Sequence, residues 1–290
     1  MPHQHDDDYW SVLRMLEWAT DYFEKKQVPD PRHSIEWLLA DVLGCKRLDL
    51  YLQFQRPLSP GELDQIRPLV KRRASHEPLQ YITGSTNFMG SHISVDPSVL
   101  IPRIETEQLV EHLIDSTKGL QHQPATLLDV GTGSGCIPIA IKKLRPNWEC
   151  HGIDLSDEAL ALAEKNAASN ELDIHFEKGD LFNLDVIPKP ARGWDIIVSN
   201  PPYIGPDEKP SLEKQVTEYE PGLALFHDDP LDVYRSVIAY AFRSESHLFL
   251  ELNDRLADKI LEISTEYFPN AAIEKDLDNN PRFLTSSPAS

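Results

Sequence analysis

The sequence predicts an α/β protein in which a parallel sheet with helices on both faces follows a small helical domain and a β-hairpin. Three observations predict this fold class. Apolar residues recur at helical spacing through the first ~75 residues, and they alternate with polar residues and glycines over residues 79–101. From residue 125 onward, short apolar runs alternate with helical segments, which is typical of a parallel sheet.

Three helices are predicted in the first part of the chain. The first covers residues 8–26, where the apolar residues follow a helical period. The second lies between Asp30, which precedes a proline and suits an N-cap, and Gly44, which suits a helix end. The third begins at Ser59, again before a proline. Together they predict an N-terminal helical domain over residues 1–77.

A β-hairpin and a larger α/β domain are predicted to follow. The alternating pattern over residues 79–101 indicates a hairpin, so residues 78–104 are predicted to form a linker. Residues 105–290 are predicted to form the second domain, with its ligand at the carboxyl ends of the strands. Its predicted strands are residues 126–130, 148–154, 173–177, 194–199 and 246–252, and its predicted helices include residues 105–114, 156–169 and 230–243.

The composition is that of an ordinary globular protein. Of the 290 residues, 40% are hydrophobic and 26% are charged. No apolar run approaches the roughly 18 residues that a membrane helix needs. Three cysteines, Cys45, Cys136 and Cys150, lie far apart without a Cys-x-x-Cys pair. This spacing argues against a zinc site and a disulfide framework, so we expect no metal and a cytoplasmic location.

The charge is strongly acidic and unevenly distributed. The net charge is −19. The first 85 residues carry 11 Lys and Arg against 13 Asp and Glu, whereas the remainder carries 17 against 34. Such acidity argues against non-specific contact with nucleic-acid phosphates, so no direct nucleic-acid binding is expected. One basic run, Lys71-Arg72-Arg73, is interpreted as a solvated helix face.

A glycine-rich loop follows the first predicted strand of the sheet and precedes a helix. Glycines let the backbone turn sharply and approach a ligand, and the helix N-terminus points at that ligand. The spacing is G-x-G-x-G rather than the dinucleotide fingerprint G-x-G-x-x-G, because Cys136 occupies the last position. By itself the loop is compatible with a dinucleotide, a nucleoside or a purely structural role. Its residues are Gly131, Thr132, Gly133, Ser134 and Gly135.

Two acidic residues follow the next two predicted strands. Asp154 is placed to accept hydrogen bonds from both hydroxyls of a ribose, although it could instead cap the following helix, a role that Ser156 can also fill. Asp180 is placed to accept from an adenine amino group, with Leu181 or Phe182 against the ring, although a surface turn is the alternative. With the glycine loop, these residues describe adenosine attached to something small. No phosphate-binding loop of the G-x-x-x-x-G-K-[ST] type occurs.

A proline corner ends the fourth predicted strand, with the sequence Asn200-Pro201-Pro202-Tyr203. The two prolines remove two backbone N–H donors and leave carbonyl acceptors, and a residue that precedes proline is extended. The corner therefore predicts a stiff set of acceptors beside an aromatic ring. A rigid turn without a ligand is the alternative interpretation.

These features resemble the class I S-adenosylmethionine-dependent methyltransferases, in which Asn-Pro-Pro-Tyr is typical of enzymes that modify planar amino nitrogens. The predicted linker indicates one family within this large class. Residues 77–82 with Gly84, and then residues 100–107, resemble the peptide chain release factor glutamine methyltransferase family. The similarity runs from about residue 30 to about residue 285.

The resemblance implies a fold, a cofactor and a reaction. The fold is a Rossmann-like methyltransferase sheet, preceded by a helical substrate-recognition domain and a hairpin linker. The cofactor is S-adenosyl-L-methionine. The substrate is the glutamine of a Gly-Gly-Gln motif in a peptide chain release factor, which is methylated on its side-chain amide nitrogen. We expect a monomer with a protein partner and no contact with membranes.

The resemblance also implies residue roles. Asn200 Oδ1 and a carbonyl of the proline corner, Pro201 and Pro202 included, would accept the two N–H bonds of the glutamine amide, and Tyr203 would pack flat against it. Arg103, Glu105 and Thr106 would cover the cofactor site from the linker. The cofactor-binding residues would be Gly131, Thr132, Gly133, Ser134, Gly135, Asp154, Asp180, Leu181 and Asn200.

The chain departs from the family pattern at three places. Ile104 stands where a second proline is usual, and Asn253 replaces the glycine of a Glu-x-Gly sequence. Residues 226–231 lack the usual Gly-Gly-x-Asp-Gly. All three lie away from the proline corner in the sequence.

Three other functions compete with this interpretation. Methylation of adenine in DNA or RNA also uses Asn-Pro-Pro-Tyr, but it needs a flipped base and a positive groove that the acidic second domain does not offer. Glutamine methylation of a ribosomal protein is the second alternative, and the sequence distinguishes it less well from methylation of a release factor. A cofactor-binding protein without activity is the third alternative.

Overall fold

The computed structural model describes residues 9–288, which form two compact units. The N-terminal unit comprises the chain up to Gly84 together with Lys214–Tyr219. The sheet unit comprises Ser85–Glu213 and the chain from Glu220 onward. The start of the predicted helix at residue 8 and both ends of the predicted domains lie outside the described residues. No helix in the described part is long and apolar enough to cross a membrane.

The elements follow one another in a simple order. The helices are α1 (Val12–Lys25), α2 (Pro31–Leu43), α3 (Pro60–Ala74), α4 (Leu79–Thr83), α5 (Ile104–Ser116), α6 (Cys136–Leu144), α7 (Asp157–Ser169), α8 (Lys214–Tyr219), α9 (Gly222–Leu225), α10 (Pro230–Arg243) and α11 (Ala257–Thr265). The strands are β1 (Ser85–Phe88), β2 (Ser91–Ser94), β3 (Thr126–Val130), β4 (Glu149–Asp154), β5 (His175–Lys178), β6 (Ile196–Ser199), β7 (His247–Glu251), β8 (Ala272–Lys275) and β9 (Pro281–Ser286). Short 3-10 helices lie at Arg47–Leu52, Lys118–Leu120, Leu184–Val186, Pro206–Ser211 and Asp254–Leu256.

Caps in the sequence set the helix ends of the N-terminal unit. Ser59 Oγ accepts from the Glu62 backbone N–H at 3.3 Å, and the Glu62 carboxylate accepts from the Ser59 N–H at 2.7 Å. This capping box confirms the predicted start of α3. Gly44, with φ of 61°, ends α2 as predicted. Asp30 occupies the N-cap position of α2 but makes no capping hydrogen bond, because its own φ of 47° is left-handed.

Apolar faces of the helices form the core of the N-terminal unit. Met15, Leu16 and Phe23 of α1 are almost completely buried, as are Ile35 and Leu38 of α2. Burying a side chain of this size contributes ~1.5–3 kcal/mol relative to leaving it exposed. The helical period of the sequence therefore supplies this core directly.

The basic run on α3 is not one solvated face, so that interpretation is wrong for Arg73. Lys71 and Arg72 are exposed, and Arg72 pairs with Glu77. Arg73 is buried and donates to Ser34 Oγ at 3.0 Å, to the Glu77 carbonyl at 2.9 Å and to the Pro29 carbonyl at 3.1 Å. It also donates to Gln215 Oε1 of α8 at 3.2 Å. Its acceptors lie on separate segments, so the buried guanidinium links these segments within the N-terminal unit.

The sheet unit contains a seven-stranded sheet in the order β5-β4-β3-β6-β7-β9-β8. Strands β5, β4, β3, β6 and β7 pair in parallel, as predicted, and β3 and β6 are buried along their whole length. The sheet is mixed rather than purely parallel, because β9 pairs antiparallel to β7 and to β8. These two strands were not predicted, since β8 is only four residues long and mostly exposed and thus lacks an apolar period.

The predicted hairpin is shorter than its sequence pattern. Strands β1 and β2 pair antiparallel over Ser85–Phe88 and Ser91–Ser94. The preceding residues, Leu79–Thr83, form α4 instead of a strand. Gly84, with φ of 76°, ends that helix, and so the hairpin begins after it.

The register of the parallel strands brings several loops to one edge of the sheet. Val130 lies beside Ile153, Asp129 beside Val198, and Asp154 beside Lys178. The glycine loop, the segments after β4 and β5, and the proline corner therefore start from the same carboxyl edge. This is where ligands bind in open α/β sheets.

Candidate active site

A cavity of about 520 Å³ lies at the carboxyl edge of the parallel strands. This volume falls within the ~300–1,000 Å³ typical of small-molecule sites. All of its wall belongs to the sheet unit. The lining comes from residues 98–106, 130–137, 153–159, 179–182, 200–202 and 221–227, with gaps in several of these ranges.

The glycine loop is held in place by the acid that ends β4. Gly133 donates its backbone N–H to Asp154 Oδ2 at 2.8 Å, and its φ of 53° is favourable for glycine. Gly135 has another role, because a Cβ on it would lie 3.1 Å from Ala163 Cβ and 3.1 Å from the Phe176 ring. Gly133 therefore shapes the cavity wall, whereas Gly135 permits close packing of the loop on α7.

The base of the loop contains buried polar atoms without partners. Both carboxylate oxygens of Asp129 and the hydroxyl of Thr132 are buried and have no hydrogen-bond partner among the described residues. Burial raises the pKa of Asp129 to about 7, against the lowering effect of the neighbouring Thr132 hydroxyl, and the charge of Asp154 adds to the rise. Uncompensated polar groups of this kind are costly and cluster at functional sites.

Asp154 is available to a ligand because another residue caps the following helix. Ser156 Oγ accepts from the Ala159 N–H at 3.1 Å at the start of α7, as one of the two interpretations expected. Asp154 Oδ1 accepts from the Ser156 N–H at 3.0 Å, which fixes the carboxylate at the cavity wall. Its remaining lone pairs suit a diol.

The residues after β5 form an apolar corner of the cavity with one acid. Asp180, Leu181 and Phe182 all line it, and Asp180 Oδ1 accepts from the Phe182 N–H at 2.9 Å. The Phe182 ring lies 5.2 Å from the His227 ring, centroid to centroid, and both rings line the cavity. A flat ligand with an amino group suits this combination.

The proline corner is tied to two other elements through a fully buried acid. Asn200 donates from Nδ2 to Thr106 Oγ1 at 3.0 Å, and Thr106 donates in turn to Glu251 Oε2 at 2.7 Å. Tyr203 donates its hydroxyl to Glu251 Oε1 at 2.9 Å. Because the Thr106 hydroxyl has one proton and gives it to Glu251, it must accept from Asn200. Asn200 Oδ1 is therefore the end of the amide available to a donor in the cavity.

The environment of this network shifts two pKa values in the same direction. Burial raises the pKa of Glu251 above its ordinary value, against the lowering effect of the hydrogen bonds from Thr106 and Tyr203. Burial and the neighbouring Glu251 carboxylate raise the pKa of Tyr203 well above its ordinary value. Tyr203 therefore stays protonated at neutral pH and acts as a hydrogen-bond donor to Glu251.

A buried ion pair orients the arginine of the linker. Glu220, whose side chain is 1% exposed, accepts from Arg103 Nη2 at 2.5 Å and from the Ile101 backbone N–H at 3.3 Å. Arg103 lies in the cavity wall. One side of the guanidinium is thus fixed by Glu220, which places a positive group at the ligand.

Most residues predicted from sequence lie together in this cavity wall. Gly131, Thr132, Gly133, Ser134, Asp154, Asp180, Leu181, Asn200 and Pro202 line the cavity, as do Arg103 and Thr106. Gly135, Pro201, Tyr203 and Glu105 are not among the lining residues. The role of the Tyr203 ring against a substrate amide stays a prediction, and the Tyr203 hydroxyl donates to Glu251.

Sequence reasoning missed several residues of the site. Glu220 carries no local signal, because it lies about 120 positions from Arg103. His227 lies in the segment that departs from the family pattern. Glu251 ends β7, and the carboxyl end of a predicted parallel strand was the signal that could have found it.

The residues present fit S-adenosylmethionine. The carboxylate of Asp154, the acid and the aromatic ring after β5, and the glycine loop in the cavity wall suit a nucleoside joined to a charged group. Neither a cluster of cationic side chains nor a phosphate loop occurs in the part of the cavity wall that the structure describes.

Comparison with known proteins agrees with this geometry. Residues 14–84 match the family model of the PrmC N-terminal domain, and residues 104–217 match that of the methyltransferase small domain. A protein of Geobacter sulfurreducens named release factor glutamine methyltransferase is 41% identical over 237 residues, which cover 81% of this chain and 80% of the relative. The protein of that name from Leptospira interrogans is 38% identical and covers 97% of this chain and 98% of the relative.

A solved structure shares the fold at lower identity. The hMettl16 catalytic domain, in complex with a MAT2A 3'UTR hairpin, is 16% identical with a TM-score of 0.53. The match covers 70% of this chain and 77% of that chain. At this identity the similarity supports the class I methyltransferase fold and nothing finer.

Proposed function

The chain belongs to the release factor glutamine methyltransferase family, and from this premise we propose that it methylates the glutamine of a Gly-Gly-Gln motif in a peptide chain release factor. It is an S-adenosylmethionine-dependent enzyme, and the methyl group goes to the side-chain amide nitrogen. The orientation of Asn200 carries this proposal. Its Nδ2 is committed to Thr106, so its Oδ1 can accept one N–H of the substrate amide.

An amide nitrogen is a poor nucleophile because its lone pair is delocalised into the carbonyl. Two fixed acceptors, Asn200 Oδ1 and a carbonyl of the proline corner, would hold both N–H bonds and draw the lone pair out of conjugation. When bound, S-adenosylmethionine supplies the methyl group that this nitrogen takes. The contribution of the protein is orientation and electrostatics in a closed site rather than a strong base.

The remaining site residues bind the cofactor or orient Asn200, and none of them transfers a proton. Asp154 and Asp180 would accept from the ribose and the adenine, and Arg103 would face the charged end of the cofactor. Tyr203 positions Glu251, which positions Thr106 and, through it, Asn200. The substrate proton leaves after methyl transfer, when the nitrogen is far more acidic.

We also propose the wider arrangement that the sequence predicts. Residues 1–77 would recognise the release factor, and residues 105–290 would bind S-adenosylmethionine and catalyse methyl transfer. Residues 78–104 would link these two domains. The enzyme would act as a monomer in the cytoplasm without contacting nucleic acid directly. The net charge of −19 and three free cysteines support these proposals.

The test is methyl transfer from labelled S-adenosylmethionine to a purified bacterial release factor. Parallel reactions contain its Gly-Gly-Ala variant, ribosomal proteins or duplex DNA. We expect label on the intact factor alone. Label on DNA would mean that the corner holds a base, label only on a ribosomal protein would move the substrate, and no label with tight cofactor binding would indicate a protein without activity.

Replacing Asn200 by alanine tests the role of its amide. We expect Asn200→Ala to lower kcat by about 100-fold or more, as for loss of an oriented catalytic hydrogen bond. The affinity for S-adenosylmethionine should change by less than about 3-fold, a difference below ~0.7 kcal/mol. Asn270→Ala, at an exposed asparagine outside the cavity, is the matched control. Equal losses of turnover and cofactor affinity would contradict the assigned role.

A further inference from the structure

Three side chains with metal-binding chemistry meet on the outer strands of the sheet, away from the cavity. Glu149 and His151 lie two residues apart on β4, and His175 lies directly beside His151 on β5. Because side chains alternate along a strand, Glu149 and His151 share one face, and Cys150 points to the other. The sheet thus gathers two imidazoles and a carboxylate from positions that are 24 residues apart in sequence.

The donor atoms are close enough to bind one ion. One ligand atom from each residue lies within 4.8 Å of the other two. Glu149 Oε1 and His151 Nε2 are 2.9 Å apart, and the two imidazole centroids are 4.8 Å apart. Zinc–ligand bonds of ~2.0–2.2 Å place tetrahedral ligands ~3.3–3.6 Å from one another. Small rotations of exposed side chains close that difference.

The surroundings fix one ligand and leave space beside the others. The His151 side chain is only 13% exposed, and its ring packs edge-on against Trp194 with centroids 4.9 Å apart. An open groove of about 330 Å³ adjoins His151 and His175. Glu177, two residues after His175, also lines this groove and adds negative charge. Lys189 lines it too, but its ammonium lies over the Tyr240 ring.

We propose that Glu149, His151 and His175 form a binding site for a divalent transition-metal ion of the zinc type, with water in the remaining position. Two imidazoles and one carboxylate select zinc, nickel or copper over magnesium and calcium, which prefer all-oxygen ligands. The absence of a cysteine pair from the sequence does not bear on such a site, since no thiolate takes part. It is independent of the methyltransferase reaction.

The ion would cross-link the edge strand β5 to β4, the one described strand with which β5 pairs. Strand β5 is four residues long and pairs with β4 alone. It leads directly to Asp180, and β4 ends at Asp154. The pair His151 and His175 lies three residues before the pair Asp154 and Lys178, so the metal would lie about 10 Å from the cavity edge along the strands. Its effect would be on stability rather than on chemistry.

The test is titration of the tag-free chain with ZnCl₂ at pH 7.5 by calorimetry, together with thermal melts. We expect one ion per chain with micromolar or tighter affinity, and a melting temperature that rises with zinc. His175→Ala and Glu149→Gln should each weaken binding at least 10-fold. His92→Ala, at an exposed histidine on β2, should not. MgCl₂ should not compete.

Two controls exclude other ligands. A His3→Ala/His5→Ala variant, at positions outside the described residues, should retain the site. The Co²⁺-loaded protein should show no sulfur-to-metal charge-transfer band, which excludes the three cysteines. Circular dichroism of the apo variants shows whether they fold. The proposal is overturned if the intact chain binds no zinc below ~100 μM, or if folded His175→Ala and Glu149→Gln bind it as well as the parent does.

Discussion

Two buried charges of the N-terminal unit and one of the sheet unit have different hydrogen-bond surroundings. In the N-terminal unit, Arg73 is buried and donates to three oxygens besides that of Gln215, and the buried Glu36 accepts from Arg32 at 2.7 Å and from Tyr51 at 2.6 Å. In the sheet unit, the Asp129 carboxylate is buried beneath the glycine loop with no hydrogen-bond partner among the described residues.

The consequence is visible in the direction of the pKa shifts. Burial alone would raise the pKa of Glu36, but the hydrogen bonds from Tyr51 and Arg32 outweigh it and leave the pKa below its ordinary value. Burial raises the pKa of Asp129 to about 7, and it also raises that of Glu251. Hydrogen bonds therefore outweigh burial at Glu36 but not at Asp129 or Glu251, and both of these acids lie near the carboxyl edge of the sheet, as expected where function competes with stability.

The largest expected effect is on the pH dependence of stability, through Asp129. In the folded chain its proton is retained to about pH 7, whereas the unfolded chain loses it near the ordinary aspartate pKa of 3.8. Between these values the folded state binds more protons, so stability falls as pH rises and then levels off. The total cost is roughly 4 kcal/mol at most, from ~1.4 kcal/mol per pKa unit.

Asp129→Asn removes this ionisation, so the free energy of unfolding of the variant should rise relative to the parent between pH 5 and pH 8. Urea denaturation at several pH values measures the difference between the two curves. Asp173→Asn, at an exposed aspartate, is the control and should run parallel to the parent. Parallel curves for Asp129→Asn would mean that the carboxylate is ionised in the folded chain at ordinary pH.

Arg73 tests how much a buried charge with hydrogen-bond partners contributes to stability. Arg73→Ala removes the donor to Ser34 Oγ and to the Glu77 carbonyl, and it leaves the Pro29 carbonyl with the Ser34 hydroxyl alone, so we expect a loss of about 3 kcal/mol in the free energy of unfolding. Lys71→Ala, at the exposed start of the same basic run, should stay within ~0.5 kcal/mol of the parent. A small effect at Arg73 would show that water replaces its hydrogen bonds.

Sequence patterns specified the elements of the fold whose signal is local. The capping residues at Ser59 and the apolar run of β3 each determine an element within a few positions. Strands β8 and β9 were not predicted, because β9 depends on pairing with β7, and β8 on pairing with β9, rather than on their own periodicity. Arg73 escaped because its burial depends on acceptors as distant as Pro29 and Gln215.

The candidate site divides along the same line. Asp154 and the proline corner were predictable because each ends a strand at the sheet edge. Glu251 also ends a strand, but neither its contact with Thr106 nor the contact of Glu220 with Arg103 was predicted. Both acids act through contacts between elements more than 100 residues apart, and no spacing in the sequence encodes such a pair. The residues expected to contact the ligand could therefore be predicted from the sequence, whereas the contacts that orient them could not.

Thr106 tests whether the buried charge of the sheet unit contributes to catalysis. Thr106→Val keeps the shape but removes the hydroxyl that links Asn200 to Glu251. Without that link the Asn200 amide can turn over, so we expect kcat to fall by about 10–100-fold, since misoriented groups lose the benefit of preorganisation. Affinity for S-adenosylmethionine should change much less.

Thr106→Ser is the matched variant, because it keeps the hydroxyl and loses only a methyl group. It should retain turnover within about 3-fold, a change below ~0.7 kcal/mol in the barrier. Both variants are compared by single-turnover methyl transfer to the release factor. If Thr106→Ser and Thr106→Val were equally impaired, packing rather than the hydrogen bond would be responsible.

Asn253 offers the smallest and most specific change, since it is one of the departures from the family pattern. It is buried, and its Nδ2 donates to the Tyr203 carbonyl at 3.0 Å and to Glu208 Oε1 at 2.7 Å. It therefore anchors the backbone of Tyr203, whose hydroxyl donates to Glu251. Asn253→Gly should lower kcat about 3-fold, because the segment after the proline corner loses an anchor that water only partly replaces, a change of ~0.7 kcal/mol. Asn253→Asp should be worse, because it sets a second carboxylate against Glu208. Turnover of the three proteins at saturating cofactor decides the matter: a glycine variant slower than the aspartate variant would mean that backbone freedom, and not the lost donor, disturbs the corner.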